Sequence, residues 1–305
     1  MARLSEYRYH LAALFTVSVW GATFVSTKAL IAAGLTPAEI FLMRFALGYL
    51  CILPLAPRRL RAENRRDEAA FAAAGVCGGS LYFLLENVAL EYAPASNVSL
   101  LVCTAPVWTA LAAGRADRGE RMTRRQAAGA ALAAAGMALV VLNGRFVLHI
   151  SPAGDLLALA AALSWMGYSL VIKRLGARYP ASFIARKVFF YGMATILPVF
   201  AFRPFAATGE LLARPVVWAN LLFLGVVASG FCYALWNTVM RRLGAVRATN
   251  YIFFNPLVTM LTAALCIGER ITTPALAGAA MILCGMWRAE RRPASGNKIP
   301  RPDVP

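Results

Sequence analysis

The feature that most constrains this chain is an internal duplication, in which the stretch from Gly75 to Pro106 recurs from Gly225 to Pro256 at an offset of 150 residues. The first copy begins GVCGGSLYFLLEN and the second begins GVVASGFCYALWN. Further along, GERMT at 119–123 corresponds to GERIT at 268–272. This period is far longer than the roughly 20–50 residues of a solenoid repeat. The chain is therefore predicted to consist of two copies of one unit.

The composition indicates that these two units lie in a membrane. Hydrophobic residues make up 60% of the chain, charged residues make up 15%, and the mean hydropathy is +0.61. This apolar share exceeds that of an ordinary soluble domain. The net charge is +17. Its basic residues stand in short clusters between long apolar runs, as in cytoplasmic loops, and do not form a nucleic-acid-binding stretch. We therefore expect a lipid bilayer, and no nucleic acid, as a partner.

Cysteine and histidine usage predicts neither a disulfide framework nor a metal site. All six cysteines fall inside apolar runs, where a thiol acts as a small hydrophobic group. The two histidines, His10 and His149, are far apart in the sequence. Their spacing does not match the known zinc-binding patterns. The sequence also lacks the P-loop, G-x-G-x-x-G, G-x-S-x-G and H-E-x-x-H motifs. It predicts no enzyme and no cofactor.

Ten apolar runs have about the length that crosses a bilayer as a helix, which is about 17–25 residues. Sheet edges cannot stay unpaired in hydrocarbon, and the runs lack the two-residue alternation of a membrane barrel, so each is predicted to be helical. The predicted spans are 11–31, 37–56, 69–90, 95–113, 126–143, 153–172, 180–202, 216–240, 245–267 and 274–288. The predicted units are a head over 1–10, a first repeat over 11–143, a second repeat over 153–288 and a disordered, proline-rich tail over 291–305.

The distribution of Lys and Arg predicts the orientation of these helices. The two termini and alternate loops carry 23 of these residues, whereas the loops on the opposite side carry four. Basic loops stay in the cytoplasm, so both termini are predicted to be cytoplasmic. Because each half has an odd number of spans, the second copy enters the membrane from the other side. The predicted fold class is an all-α integral membrane protein with ten transmembrane helices in two inverted five-helix repeats, as in many secondary transporters.

Short motifs recur in the same order in both halves. Trp20-Gly21-Ala22-Thr23-Phe24 precedes Lys28, Trp165 lies in the corresponding helix of the second half, and each Gly-Glu-Arg motif precedes Ala-Gly-Ala-Ala. With these motifs the chain resembles the EamA family of the drug/metabolite transporter superfamily over about 10–290. The resemblance implies a central cavity lined by helices 1, 3, 4, 6, 8 and 9, with helices 5 and 10 as scaffold. It also implies export of amino acids and related metabolites.

The candidate substrate-binding residues are aromatic and polar side chains on the helices expected to line this cavity. Glu86 is the only carboxylate well inside a span. It binds a substrate ammonium or carries a coupling proton, or else it pairs with Lys28 or Arg44 and holds helices together. The aromatic residues form a substrate box, or else they serve as packing and interface anchors. The candidates are Trp20, Phe24, Tyr82, Glu86, Asn87, Trp165, Tyr168, Tyr233, Trp236 and Asn237.

Five other charged residues in the predicted spans are candidates for a functional role, because charges inside a membrane are costly and often functional. They are Lys28, Glu39, Arg44, Arg186 and Lys187. Lys28 and Glu39 lie near span ends and are expected to reach the membrane interface, whereas Arg44 is too deep for that. No acidic residue is expected in the inner half of a neighbouring span, so Arg186 and Lys187 are expected to reach the cytoplasmic headgroups. The alternative is that one of them faces the cavity and attracts a carboxylate.

Pro106 and Pro256 interrupt the fourth and ninth predicted helices at equivalent positions. Each proline removes a backbone donor and frees the carbonyl four residues earlier, on Val102 and Ile252. Such a break is a hinge or polar cavity wall in a transporter, and a tolerated kink in a static bundle. Its presence in both halves favours the hinge. The hydrogen-bonding residues beside the second break are Asn250 and Asn255.

Together these features predict a secondary transporter that exports a small organic metabolite, an amino acid or a close analogue, by alternating access. The Ala- and Arg-rich usage is typical of a bacterium with a GC-rich genome, so the expected location is the bacterial inner membrane. The alternatives are a multidrug exporter, a sugar-phosphate or nucleotide-sugar carrier with phosphate held by Arg44 and Lys187, and a membrane-embedded lipid enzyme. The expected partners are a small-molecule substrate and the bilayer, with a homodimer left open.

Overall fold

The computed structural model describes residues 2–56, 61–93, 95–116, 122–142, 151–267 and 271–290. Every regular element within these ranges is a helix, which confirms the all-α prediction for this part of the chain. The two Gly-Glu-Arg motifs, at 119–121 and 268–270, and the tail over 291–305 lie outside the described residues.

The first half contains five helices, which we number in chain order. They are α1 (Ala2–Ala33), α2 (Pro37–Ile52), α3 (Arg65–Tyr92), α4 (Ala95–Val102 and Ala105–Ala116) and α5 (Arg124–Leu142). A single 3-10 turn, Leu53–Leu55, extends α2. The start of α2 is set by local chemistry, because Thr36 caps the helix through its side chain and Pro37 occupies the first turn.

The second half repeats this order. Its helices are α6 (Pro152–Leu175), α7 (Ala181–Ile196), α8 (Pro215–Leu243), α9 (Ala245–Asn250, Tyr251–Phe254 and Asn255–Ile267) and α10 (Thr273–Glu290). Two short helices, Val199–Phe202 and Gly209–Leu212, lie between α7 and α8. In the described ranges, six helices are long and apolar enough to cross a membrane, and they are α1, α2, α3, α6, α7 and α8.

The duplicated stretches carry the same backbone irregularities. Helix α3 contains a π-helical turn over Val76–Ser80, and α8 contains one over Phe223–Phe231. Helix α4 is divided between Val102 and Ala105, and α9 narrows to a 3-10 helix over Tyr251–Phe254. Each division comes just before the proline of its copy, which cannot donate a backbone hydrogen bond. The two copies therefore share local structure as well as sequence.

The two halves interlock through equivalent contacts. Helix α1 packs on α8 and α9, and its counterpart α6 packs on α3 and α4. At the repeated glycines, a Cβ at Gly75 on α3 would collide with Tyr191 on α7, and a Cβ at Gly225 on α8 would collide with Leu47 on α2. Each glycine thus allows its helix to pack closely on a helix of the other half.

Helices α5 and α10 pack against each other along small residues. A Cβ on Gly129 would lie 2.6 Å from the carbonyl oxygen of Gly285, and a Cβ on Gly136 would lie 2.5 Å from that of Gly278. Small residues let helix backbones approach this closely in a membrane, where dispersion contacts contribute much of the attraction between helices. None of the described residues of these two helices lines the central cavity.

Candidate functional site

A central cavity lies between the two halves and is walled by seven helices. Its empty volume is about 490 Å³, which includes the open part of its mouth. The wall includes the six helices named by the sequence resemblance and also α2, which contributes Arg44. The lining residues are Trp20, Thr23, Phe24, Arg44, Tyr82, Phe83, Glu86, Val102, Ala105, Trp165, Tyr233, Ile252 and Asn255.

The structure brings six of the ten candidate substrate-binding residues to this cavity. They are Trp20, Phe24, Tyr82, Glu86, Trp165 and Tyr233. The other four are buried in packing around it. Tyr168 donates a hydrogen bond of 2.8 Å to Oδ1 of Asn237, and Nδ2 of Asn87 donates one of 3.4 Å to the carbonyl oxygen of Pro37. Trp236 packs on Trp20 with 5.0 Å between ring centroids.

Six of the thirteen described lining residues are aromatic. Trp20 on α1 and Trp165 on α6, which occupy corresponding helices of the two halves, meet edge to face with 5.4 Å between ring centroids. Tyr82 lies 5.1 Å from Trp165, centroid to centroid. The hydroxyl of Tyr233 donates a hydrogen bond of 2.7 Å to the carbonyl oxygen of Gly78. These contacts hold the rings in place across the boundary between the halves.

Arg44 and Glu86 are the two charged residues of the described lining. Nε of Arg44 donates a hydrogen bond of 3.0 Å to Oγ of Ser229, and its guanidinium carbon lies 4.4 Å from the centroid of the Phe83 ring. Glu86 is 7% exposed and lies one helical turn after Tyr82, which also lines the cavity. Arg44 and Glu86 attract each other across the cavity, and no direct ion pair joins them.

Two buried polar atoms on lining residues have no hydrogen-bond partner in the described structure. They are Nε1 of Trp165, which is a donor, and Oδ1 of Asn255, which is an acceptor. Trp20, the counterpart of Trp165, does have a partner, because its Nε1 donates a hydrogen bond of 2.9 Å to the carbonyl oxygen of Ala228. Both atoms are buried within the wall, although their residues line the cavity.

The broken helices α4 and α9 reach the cavity at their breaks. Val102 and Ile252, whose carbonyls lose the donor four residues later at Pro106 and Pro256, both line it. Asn255 lines it too, whereas Asn250 is buried with both side-chain polar atoms unpartnered among the described residues. The breaks thus lie where polar backbone meets a cavity and not lipid.

Two of the predicted interfacial charges are buried instead. Glu39 is fully buried, so the expectation that it reaches the membrane interface is wrong. Its Oε2 accepts from the backbone N–H and the hydroxyl of Thr36, both at 2.8 Å, and its Oε1 accepts from the N–H groups of Ala206 at 2.5 Å and Ala207 at 2.8 Å. The carboxylate joins α2 to the loop before α8.

Lys187 is also not at the headgroups. It is 2% exposed and forms an ion pair with Glu68 in the first turn of α3, while Tyr191 donates a hydrogen bond to the same carboxylate oxygen. The acidic partner was missed because the predicted span began at residue 69, whereas α3 begins at Arg65 behind the cap Asn64. Lys28 is exposed, and Arg186 is half-buried with its guanidinium 5.8 Å from the centroid of the Tyr49 ring.

A polar cluster next to this ion pair joins α3 to the loop before α7. The hydroxyl of Tyr179 donates a hydrogen bond of 2.9 Å to Oδ2 of Asp67, and Nη1 of Arg178 lies 3.2 Å from the same oxygen. Burial raises the pKa of the Tyr179 hydroxyl above its usual value. These contacts join the two halves on this side of the molecule.

Sequence reasoning missed three lining residues, Thr23, Phe83 and Ala105, and it named Val102 and Ile252 only for their freed carbonyls. Thr23 and Phe83 could have been found from the sequence. The signal was present as three-residue spacing, since Thr23 follows Trp20 by one helical turn and Phe83 precedes Glu86 by one. Residues three apart share a helix face almost as well as residues four apart. Phe83 also packs beneath Arg44, so it supports the charge that the sequence had singled out.

Comparisons with known proteins agree with one another. A model of the EamA-like transporter family matches residues 8–142 and 152–288. A protein named "Probable terminal-alkyne amino-acid exporter" from Streptantibioticus cattleyicolor is 30% identical over 285 residues, covering 92% of this chain and 93% of that protein. A "Probable amino-acid metabolite efflux pump" from Salmonella typhimurium is 27% identical over 291 residues, covering 90% of this chain and 92% of that protein.

A solved crystal structure has the same fold. It superposes with a TM-score of 0.75 and covers 93% of this chain and 98% of its own chain, at 18% sequence identity.

Proposed function

This chain belongs to the EamA-like transporter family, and from that membership we propose that it exports amino acids or closely related small metabolites as a secondary transporter. The named relatives are an exporter and an efflux pump, so the chain is a membrane transporter and not an enzyme. The proposed location is the inner membrane of a bacterium.

The observation that carries this proposal is the central cavity. It lies at the boundary between the two halves, has six aromatic residues in its wall and contains one cation and one anion among its described lining residues. The names of the relatives mention a terminal-alkyne amino acid and amino-acid metabolites. An amphipathic metabolite of that kind suits a wall of rings with a few polar groups, as small-molecule sites usually have.

For the architecture we propose ten membrane crossings in two inverted repeats, with both termini in the cytoplasm. Support comes from the Lys and Arg distribution, the matched irregularities of α3 and α8, and the matched breaks of α4 and α9. Alternating access would occur by rocking of one half against the other about the cavity. The breaks at Pro106 and Pro256, with Asn250 and Asn255 beside the second, would act as hinges.

The sugar-phosphate alternative loses the support that the sequence lent it. It relied on Arg44 and Lys187 holding phosphate together, but Lys187 is paired with Glu68 and does not line the cavity. In the described lining, Arg44 is the only cation. A dianionic phosphate usually requires several positive groups or backbone donors.

The architecture is tested by labelling single cysteines from one side of the membrane in a cysteine-free background. One cysteine is placed at Arg118 and the other at Arg270, in the loops after the fourth and ninth spans. We expect the two positions to react from opposite sides. Reaction of both from the same side would exclude the inverted repeat.

Export is tested with purified protein in liposomes loaded with labelled amino acids, with and without an imposed pH gradient. We expect saturable efflux by the wild type, and a response to the gradient that disappears in Glu86→Gln if Glu86 carries the coupling proton. The control is Glu91→Gln, an exposed carboxylate on the same helix. Saturable efflux that ignores the gradient would mean facilitated diffusion, and absence of efflux for every amino acid would contradict the proposal.

A further inference from the structure

We infer that the cavity recognises a zwitterion, with Arg44 binding the carboxylate and Glu86 the ammonium of an α-amino acid whose side chain is apolar or aromatic. This inference rests on the proposed function, because it assigns the substrate class of the same cavity. It goes further in giving each charge a separate role at one end of the substrate.

Arg44 is held in a position suited to a carboxylate. Its Nε is occupied by Ser229, and its guanidinium lies over the ring of Phe83, so the planar group has one orientation. The terminal nitrogens have no hydrogen-bond partner among the described residues, and Arg44 lines the cavity. A guanidinium with free terminal N–H groups binds a carboxylate through two parallel hydrogen bonds.

Glu86 supplies the matching anion. It lines the cavity from α3, beside Tyr82, and an ionised carboxylate only accepts hydrogen bonds. An ammonium group, with three donors, is its natural partner. Within the described structure Glu86 has no ion pair, because no guanidinium nitrogen of Arg44 lies within 4.0 Å of its carboxylate oxygens. The two charges therefore attract each other across a gap without neutralising each other directly.

An α-amino acid carries its two charged groups on the same carbon, so a single molecule offers a carboxylate to Arg44 and an ammonium to Glu86. A buried charged group without a partner is costly, so a ligand that supplies the partner gains affinity.

The rest of the wall determines which substrate side chains the cavity can bind favourably. It consists of six aromatic rings, two polar side chains and aliphatic groups from α4 and α9. The rings are those of Trp20, Phe24, Tyr82, Phe83, Trp165 and Tyr233, and the polar side chains are Thr23 and Asn255. The described lining has no second cation or second anion for a charged side chain. A basic or acidic amino acid would bring a buried charge without a partner, which is costly. An apolar or aromatic side chain instead gains dispersion and stacking contacts.

The test uses the purified full-length protein in lipid nanodiscs and three ligands with the same phenyl group. L-Phenylalanine carries both charges, 2-phenylethylamine carries only the ammonium and 3-phenylpropionate carries only the carboxylate. Binding is followed by tryptophan fluorescence, since Trp20 and Trp165 line the cavity. We expect the wild type to bind phenylalanine about 10-fold or more tightly than either analogue, as expected when one charged hydrogen bond is lost.

The two variants should show opposite losses. Arg44→Gln should weaken the binding of phenylalanine and phenylpropionate by about 10- to 100-fold and leave the binding of phenylethylamine unchanged. Glu86→Gln should weaken the binding of phenylalanine and phenylethylamine and leave the binding of phenylpropionate unchanged. The analogue that each variant still binds shows that the variant is folded. Matched controls are Arg186→Gln and Glu91→Gln, which change the same residue types outside the cavity.

The outcomes separate this inference from the proposed function. Suppose that the wild type exports amino acids, but that each variant lowers the affinity for all three ligands equally or for none of them. The zwitterion assignment is then wrong and the export proposal stands. If the wild type neither binds nor exports any amino acid, both are wrong. If either glutamine variant cannot be purified, Arg44→Lys and Glu86→Asp replace it, and the same selective loss is required.

Discussion

Lys187, buried in α7, is ion-paired with Glu68 in the first turn of α3. The ammonium comes from the second half of the chain and the carboxylate from the first, so this pair joins the two repeats. Because the Lys187 ammonium is paired with Glu68, it is not available to bind an anionic substrate. The central cavity is left with Arg44 as the only cation of its described lining.

Removing one member of this pair should destabilise the protein, and removing both should not. Glu68→Leu leaves the Lys187 ammonium buried without its carboxylate. Because Glu68 is 32% exposed, we expect a loss at the lower end of the about 3–5 kcal/mol found for broken buried pairs. The double variant Glu68→Leu with Lys187→Met should recover most of it. Thermal unfolding in detergent measures both, and a double variant no more stable than Glu68→Leu would contradict the pairing.

Glu39→Gln should loosen the loop before α8. The carboxylate accepts four hydrogen bonds through two oxygens, whereas a glutamine has only one acceptor oxygen. We expect a loss of about 1–3 kcal/mol in the free energy of unfolding, with faster hydrogen exchange at the amides of Ala206 and Ala207. Glu210→Gln, an exposed carboxylate after the same loop, is the control. Unchanged exchange at both amides would show that Glu39 does not hold the loop.

Gly136→Ala should disturb the packing of α5 on α10. The added methyl group would lie 2.5 Å from the carbonyl oxygen of Gly278 and 2.7 Å from Cβ of Met281, so the helices must separate. We expect a loss of about 1–3 kcal/mol, as for overpacked cores. Gly209→Ala is the matched control, because its methyl group meets nothing within 4 Å. Equal thermal midpoints for the two variants would mean that α5 and α10 are not in close contact.

Substituting each of the two cavity tryptophans by phenylalanine should affect the protein differently. Trp20→Phe leaves the carbonyl oxygen of Ala228 without its donor and should cost about 1–3 kcal/mol of stability. Trp165→Phe removes a donor that has no partner, so the ligand-free protein should lose less stability, while substrate affinity should fall. Thermal unfolding with and without substrate separates the two effects. A larger stability loss for Trp165→Phe than for Trp20→Phe would contradict the assignment.

The sequence was a good guide wherever the cause is local. The offset between the two copies correctly placed equivalent breaks before Pro106 and Pro256, because a missing backbone donor acts within one helical turn. The repeated glycines, Gly75 and Gly225, mark the π-helical turns of α3 and α8. All ten candidate substrate-binding residues lie on helices that the family resemblance had assigned to the cavity, and six of them line it.

Contacts between residues that are distant in the sequence could not be predicted from the sequence. Glu39 was expected at the interface and is instead bonded to a loop more than 160 residues later in the chain. Lys187 was expected at the headgroups and is paired with a carboxylate just outside the predicted span. Span ends are uncertain by a few residues, and in this chain that margin hid Glu68.

The amino-acid sequence by itself determined the apolar environment of the chain, its duplication and its all-helical local structure. The tertiary structure alone decided the rotation of each helix, and with it which buried charges face the cavity and which are paired. The physical reason is the membrane. Lipid is as apolar as the protein interior, so hydrophobicity does not distinguish the lipid-facing side of a helix from its packed side. Asn87, Tyr168, Trp236 and Asn237 face packed neighbours, whereas Arg44 and Glu86 face the cavity, because of how the helices fit together.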